Sequence, residues 1–178
     1  AFLASLGDRE WRAGIAEAVK VAIIKDRAFL AWIASAAPAL VARDRGSMNE
    51  LIRRCALLHI DHIAGSGDPF ERGSSRPLDF GHWSAHRMEV LSKHRLNHGE
   101  AVAIGIALDI AYAAAIDRVS AEERDAVLAT LEACGFTLWD AVLDLRGRDG
   151  TRAVLGGIEQ FREHLGGELT LAMPAGLG

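Results

Sequence analysis

Between residues 11 and 33 apolar side chains recur on nearly every side of a helical wheel: Ile15, Val19, Val21, Ile23, Ile24, Phe29, Leu30 and Trp32. A helix without a continuous polar face has to be enclosed by its neighbours. The segment therefore predicts a long helix at the centre of a helical domain, with Asp8 placed to cap its start. Residues 101–116 form a second greasy stretch, interrupted by Asp109. That charge leaves no uninterrupted apolar run long enough to span a bilayer, and no membrane partner is expected. Of the 178 residues 50% are hydrophobic, enough for one folded domain with a substantial core. The net charge of −4 argues against nucleic-acid binding, which ordinarily shows as a basic face.

The rest of the chain reads as further helices. Pro38 and residues 43–46 mark a turn, and a helix is expected over residues 48–63. Glycine, serine and proline in residues 65–77 give the longest loop signal, which carries Asp68, Glu71, Arg72 and Arg76. Loops set on a rigid scaffold are common places for chemistry, although a solvated charged loop has the same composition. Helices are expected over 79–91 and 98–116, the second capped by Asn97. Ser120 and Glu123 have capping-box spacing, with Val119 as a staple, and Gly135 suits a helix C′ position. A short helical piece at 139–143 and a helix at 151–165, closed by Gly166 and Gly167, follow. Residues 168–173 alternate and are the one convincing strand. The fold class is all-α and multi-helical, with at most one short C-terminal strand. Cys55 and Cys134 lie in apolar contexts and read as free buried thiols in a reducing compartment. Residues 1–10 lack the basic start of a secretory signal, so a cytoplasmic location is expected. The chain opens at Ala1 without an initiator methionine and reads as a piece of something larger.

Ligand-type side chains concentrate at LDFGHWSAH (residues 78–86) and HGEAVAIG (residues 98–105). His82 and His86 are spaced to share one helical face. His98 falls at a helix N-terminus, where the dipole disfavours the imidazolium and predicts a neutral ring. Glu17 and Lys20 sit one turn apart inside a greasy helix. They form either a local ion pair at the edge of the core or a polar pair aimed at an internal site. Glu17, His82 and His98, on three separate helices, make a set with the chemistry of an open catalytic Zn²⁺ site, in which a metal acts as a Lewis acid. His59, Asp61 and His62 offer a competing reading, a metal-dependent phosphohydrolase of the HD type. A non-catalytic helical domain is a third. The sequence has no Gly-rich phosphate loop and no nucleophile elbow.

Three ordered segments together resemble the C-terminal domain of 3-dehydroquinate synthase and its relatives, the sugar-phosphate cyclases. They are RAGIAEAVK (residues 12–20) continuing to Ile24, Lys25 and Asp26, LDFGHWSAHRME (residues 78–89), and HGEAVAIG (residues 98–105). The resemblance implies that Glu17, His82 and His98 bind Zn²⁺ (or Co²⁺). It implies that Lys20, Glu71 and His86 contact substrate or assist proton transfer, and that Phe2, Leu3, Ala4 and Ser5 touch NAD⁺. Arg162 is a looser match for a late phosphate contact. It also implies a lyase chemistry: NAD⁺ transiently oxidises a ring carbinol, phosphate is eliminated, hydride returns, and an intramolecular aldol step closes a carbocycle.

Several positions depart from the family pattern. Asp79 stands where dehydroquinate synthases have asparagine, the arginine expected near Arg76 is displaced by one residue or replaced by Ser75, and Asp61 stands near an expected lysine. Lost cations and an added acid disfavour a carboxylate substrate by like-charge repulsion. Asp79 and Arg76 are thus expected to face a neutral polyol phosphate of the heptulose-phosphate type, with the true dehydroquinate synthase as the alternative. Residues 1–178 correspond to the second, helical metal- and substrate-binding domain. The family's N-terminal NAD-binding α/β domain is not in this chain, which alone is expected to be inactive. The expected partners are a small sugar phosphate and that NAD-binding domain, and a homodimer is open.

Overall fold

The computed structural model describes residues 2–65, 77–164 and 171–177. Among these, seven α-helices form the domain: α1 (Asp8–Lys25), α2 (Arg27–Val41), α3 (Arg45–Gly65), α4 (His82–Leu91), α5 (His98–Ala115), α6 (Ala121–Ala133) and α7 (Gly156–His164). The expected all-α class is what the chain adopts. Short 3₁₀ turns at Phe2–Ser5, Pro77–Asp79, Ala141–Asp144 and Ala153–Leu155 connect or extend the helices. Of the strand expected at 168–173, residues 168–170 lie outside the described residues, and Leu171, Ala172 and Met173 carry no strand.

The long helix expected from the apolar run is two helices. Asp26 takes an extended backbone (φ −158°, ψ 96°) and its carboxylate accepts from the Phe29 N–H at 2.9 Å. An N-cap in mid-segment ends one helix and starts the next. The chain folds back there, and each half turns its apolar side inward: Ile15, Val19 and Ile23 from α1, Phe29, Ile33 and Leu40 from α2, all buried. Asp8 does not cap α1. Gly7 holds that position, and the Asp8 carboxylate instead pairs with Arg43 at 2.7 Å. Pro38 lies within the last turn of α2 rather than in a turn of its own.

The central element is α5. Eleven of its eighteen residues are buried, and it packs against α1, α4 and α6. It is long and apolar enough to cross a membrane by composition, with a mean hydropathy of 1.2, so Asp109 does not remove that signal. Its apolar surface is covered by the neighbouring helices. An Asn97–Glu100 capping box fixes its start, and the Ser120–Glu123 box starts α6 as expected. Gly135 (φ +84°) closes α6: its N–H and that of Phe136 reach back to Glu132 and Leu131, a Schellman arrangement.

Two glycine contacts bring α1, α4 and α5 together. A Cβ at Gly99 would lie 2.3 Å from Ala13 Cα, and one at Gly105 would lie 2.0 Å from Gly81 O. Backbones that approach this closely leave no room for any side chain. The expected 79–91 helix is accordingly interrupted: Gly81 adopts φ +78° and α4 begins at His82. The expected 151–165 helix likewise divides into the 3₁₀ turn at Ala153–Leu155 and α7.

Candidate metal centre

Glu17 reaches the site from α1, His82 from the first residue of α4, and His98 from the first residue of α5. One ligand atom from each lies within 4.8 Å of the others. The Glu17 carboxylate is divided between two tasks. Its Oε2 meets Lys20 Nζ at 2.6 Å, and its Oε1 faces His98 Nε2 at 3.1 Å and His82 Nε2 at 3.5 Å. The pair is the local i,i+3 ion pair, and of the internal-site reading only the carboxylate half appears, with Glu17 and not Lys20 facing the two histidines. The Lys20 side chain is only 7% exposed, so Glu17 is the partner that compensates its burial. Burial alone would raise Glu17, but hydrogen bonds with His82, His98 and Lys20 outweigh it and hold the carboxyl well below its usual range.

Each candidate imidazole ligand has its second nitrogen occupied. His82 Nδ1 lies 3.1 Å from Phe80 O, so Nδ1–H donates and Nε2 is left to face the site. His98 Nδ1 lies 3.4 Å from Glu89 Oε2, and the same oxygen meets His86 Nδ1 at 3.2 Å. The dipole effect that predicts a neutral His98 is opposed by its neighbours. Its hydrogen bond to Glu17, aided by Glu89, raises its pKa against the effect of burial. Two carboxylates at hydrogen-bond distance outweigh a helix dipole. A bound cation would take the place of that proton.

The donor chemistry fits a zinc-type ion: one carboxylate and two imidazoles, the second nitrogen of each ring tied back, and three protein ligands that leave a position open. His86, Glu89 and His98 form a second group with ligand spacing. The two groups share His98, whose ring would have to give up both protons to serve two ions. Glu89 is better accounted for as the carboxylate that orients His98 and His86. His86 lies beside the other two rings, with centroids 5.5 Å from His82 and 5.6 Å from His98, and its side chain is 61% exposed.

Asp109, on α5, is buried beneath α4. It accepts from the Gly81 N–H at 2.9 Å and from Trp83 Nε1–H at 2.8 Å, and burial pushes its pKa up to about 6 against those two bonds. In the sequence it registers only as an interruption of an apolar run. The signal is nonetheless there, since an acid on the buried side of an apolar helix must have donors aimed at it. Glu89 is detectable too, as an i,i+3 partner of His86. The carbonyl of Phe80 is not, because every residue has one.

The other expected positions are distributed as follows. Asp79 ends the turn before Phe80 and is half-buried. Phe2, Leu3, Ala4 and Ser5 form the first 3₁₀ turn, with Leu3 packed on the core. Arg162 lies on α7, which packs against α4. Glu71 and Arg76, with Asp68 and Arg72, lie outside the described residues. His59 and Asp61 are exposed on α3, and among the described residues no ligand-type group includes them or His62. Cys55 and Cys134 are free thiols, Cys134 buried as expected but Cys55 only partly so.

Comparison with known proteins agrees with this architecture. The family described as 3-dehydroquinate synthase C-terminal matches residues 14–149. A 3-dehydroquinate synthase of Shouchella clausii is 40% identical over 105 residues, 58% of this chain and 29% of that protein. One from Ruegeria pomeroyi is 33% identical over 181 residues, 100% of this chain and 48% of its own length. The chain thus spans half or less of these curated relatives. Among solved structures, a 2-epi-5-epi-valiolone synthase from Streptomyces hygroscopicus, with NAD⁺ and Zn²⁺ bound, superposes with a TM-score of 0.86 at 26% identity. That match covers 99% of this chain and 48% of the other.

Proposed function

This chain belongs to the family of 3-dehydroquinate synthase C-terminal domains, and from that premise we propose that it is the metal- and substrate-binding domain of an NAD-dependent sugar-phosphate cyclase. The observation that carries the reading is the convergence of Glu17, His82 and His98 from three helices. A Zn²⁺ ion there would supply Lewis-acid polarisation of substrate oxygens, and NAD⁺ would accept and return the hydride. The chain's own residues do the rest. Glu17, His82 and His98 hold the ion. Lys20 fixes one oxygen of Glu17 so that the other faces the two histidines. Glu89 orients His98 and His86. The exposed ring of His86 is free to meet substrate and to hold or move a proton at its Nε2. Glu71, Arg76, Asp79 and Arg162 are assigned to the substrate, and Phe2, Leu3, Ala4 and Ser5 to NAD⁺, by family pattern. Most of the NAD⁺ contacts would come from an α/β domain matching the remaining length of the relatives.

For the substrate we favour a neutral polyol phosphate of the heptulose type, closed to a cyclitol. Asp79, close to His82 in sequence, puts an acid where a substrate carboxylate would need a neutral or cationic partner. The likeness to a valiolone synthase supports this. A second reading, a 3-dehydroquinate synthase, is supported by the names of the curated relatives.

Metal analysis tests the site. The chain should carry one Zn²⁺ that is lost in His82→Ala and His98→Ala, and a wild-type chain that takes up no metal overturns the reading. Phosphate release by the full-length protein with NAD⁺ separates the substrates. Release from a heptulose phosphate supports the cyclitol reading, and release from the heptulosonate phosphate alone supports the second. The chain by itself should turn over neither.

A further inference from the structure

The start of α4 is held in an unusual way, and the residue that holds it has no part in the chemistry above. His82 is the first residue of α4, and the preceding Gly81 has no side chain with which to cap the helix. What fixes the turn comes from α5. Asp109 takes the Gly81 N–H on Oδ2 at 2.9 Å and the Trp83 indole N–H on Oδ1 at 2.8 Å, so both neighbours of His82 are tied to one carboxylate. That carboxylate is only 2% exposed, and hydrogen bonds to a buried charge are strong and directional. The close Gly81–Gly105 approach presses the same turn onto α5.

The chemistry of one peptide unit makes this more than packing. The N–H of Gly81 and the C=O of Phe80 belong to the same planar amide. One end donates to Asp109, and the other end accepts from His82 Nδ1 at 3.1 Å. A negative charge on the N–H end polarises the amide and makes its oxygen a better acceptor. A better acceptor holds the proton on Nδ1 and turns Nε2 toward Glu17, where a bound cation would meet it. His98 is oriented by a carboxylate in direct contact, Glu89.

We infer that Asp109 is a positioning residue for His82, acting through the Phe80–Gly81 peptide as a carboxylate–amide–imidazole relay that sets the ring's tautomer and aim. The inference rests on the metal-binding reading only for its consequence, since the relay itself exists in the metal-free chain.

The test uses Asp109→Asn, which keeps the shape but offers one acceptor to two donors, with Trp83→Phe as the control that leaves the peptide tie intact. In the metal-free chain, ¹⁵N NMR of the imidazole nitrogens should show His82 protonated at Nδ1 in the wild type and in W83F. In D109N it should show exchange between the two tautomers. Co²⁺ titration, read from its visible absorption, should show affinity about tenfold lower or more in D109N, the scale of losing an outer partner of a ligand, with W83F within about threefold of wild type. If D109N does not fold by circular dichroism, the double variant W83F/D109N replaces it, because no second donor then opposes the new amide. It should show the same tautomer exchange. Unchanged His82 protonation at Nδ1 in a folded D109N or W83F/D109N chain overturns the inference. A wild-type chain that fails to bind Co²⁺ overturns the metal site instead, and the tautomer readout still decides the relay.

Discussion

The replacement of Gly105 by alanine tests whether the contact between α4 and α5 builds the site. A Cβ there would sit 2.0 Å from Gly81 O and 2.9 Å from Ser84 Oγ. A carbon and a carbonyl oxygen rest at roughly 3.3 Å when they are not bonded. The first turn of α4 would thus have to retreat by roughly 1.3 Å, and no rotamer change can absorb it because the obstacle is backbone. Overpacking of this kind costs about 3 kcal/mol, offset by about 1 kcal/mol from alanine's better helix propensity. The net loss is about 2 kcal/mol, which lowers Tm by roughly 4–8 °C in a chain of this length. His82 moves with that turn, so Co²⁺ affinity should fall by about tenfold or more, because a site loosened by more than about 0.5 Å loses its geometry. Gly14→Ala is the matched control. It lies inside α1 with nothing within 4 Å of an added Cβ, and it should gain about 0.5–1 kcal/mol. Urea unfolding and Co²⁺ titration measure both quantities. A Gly105→Ala chain within about 0.5 kcal/mol of wild type, with unchanged Co²⁺ affinity, would refute the argument.

Glu89→Gln should lower metal affinity by about 10–100-fold while leaving the fold intact, read by calorimetric titration, because it weakens the acceptor that orients His98. Asn97→Ala removes one half of a reciprocal cap and should cost about 1 kcal/mol in urea unfolding. Burial pushes the Cys134 thiol from 9.0 up to about 11. Below pH 9 both the folded and the unfolded thiol keep their proton. As pH rises toward 11 the unfolded chain ionises first, so stability should fall across that window, and Cys134→Ala should flatten the fall seen by thermal melts.

Parts of this site are legible in the amino-acid sequence, for reasons that differ residue by residue. Glu17, His82 and His98 are identifiable because a carboxylate and imidazoles in otherwise apolar helices need a purpose, and because three ordered motifs resemble one family. Asn97, Ser120 and Gly135 are identifiable because caps depend on a few neighbouring residues. The break at Asp26 is not. Aspartate is as compatible with a helix surface as with a cap, and what decides is whether the two flanking apolar faces bury better along one axis or folded back. Asp109 is visible but misleading, since composition records a charge and not the donors that face it. His98 is expected neutral because its helix position is local, whereas the carboxylates that raise its pKa come from α1 and α4.

By itself the sequence determined the class of the fold, the starts of α5 and α6 and the end of α6. Those follow from side-chain type, helical period and capping chemistry, all of which act within a few residues. Only the tertiary structure decided that α5 rather than α1 is the central helix, and that Gly99 and Gly105 let three backbones meet. It alone decided that one oxygen of Glu17 is held by Lys20 while the other faces two histidines, and that Asp109 grips the peptide behind His82. Most of these contacts join residues on different helices, far apart in the chain. They are fixed by excluded volume and by the need to pair every buried charge, and neither constraint exists until the helices pack.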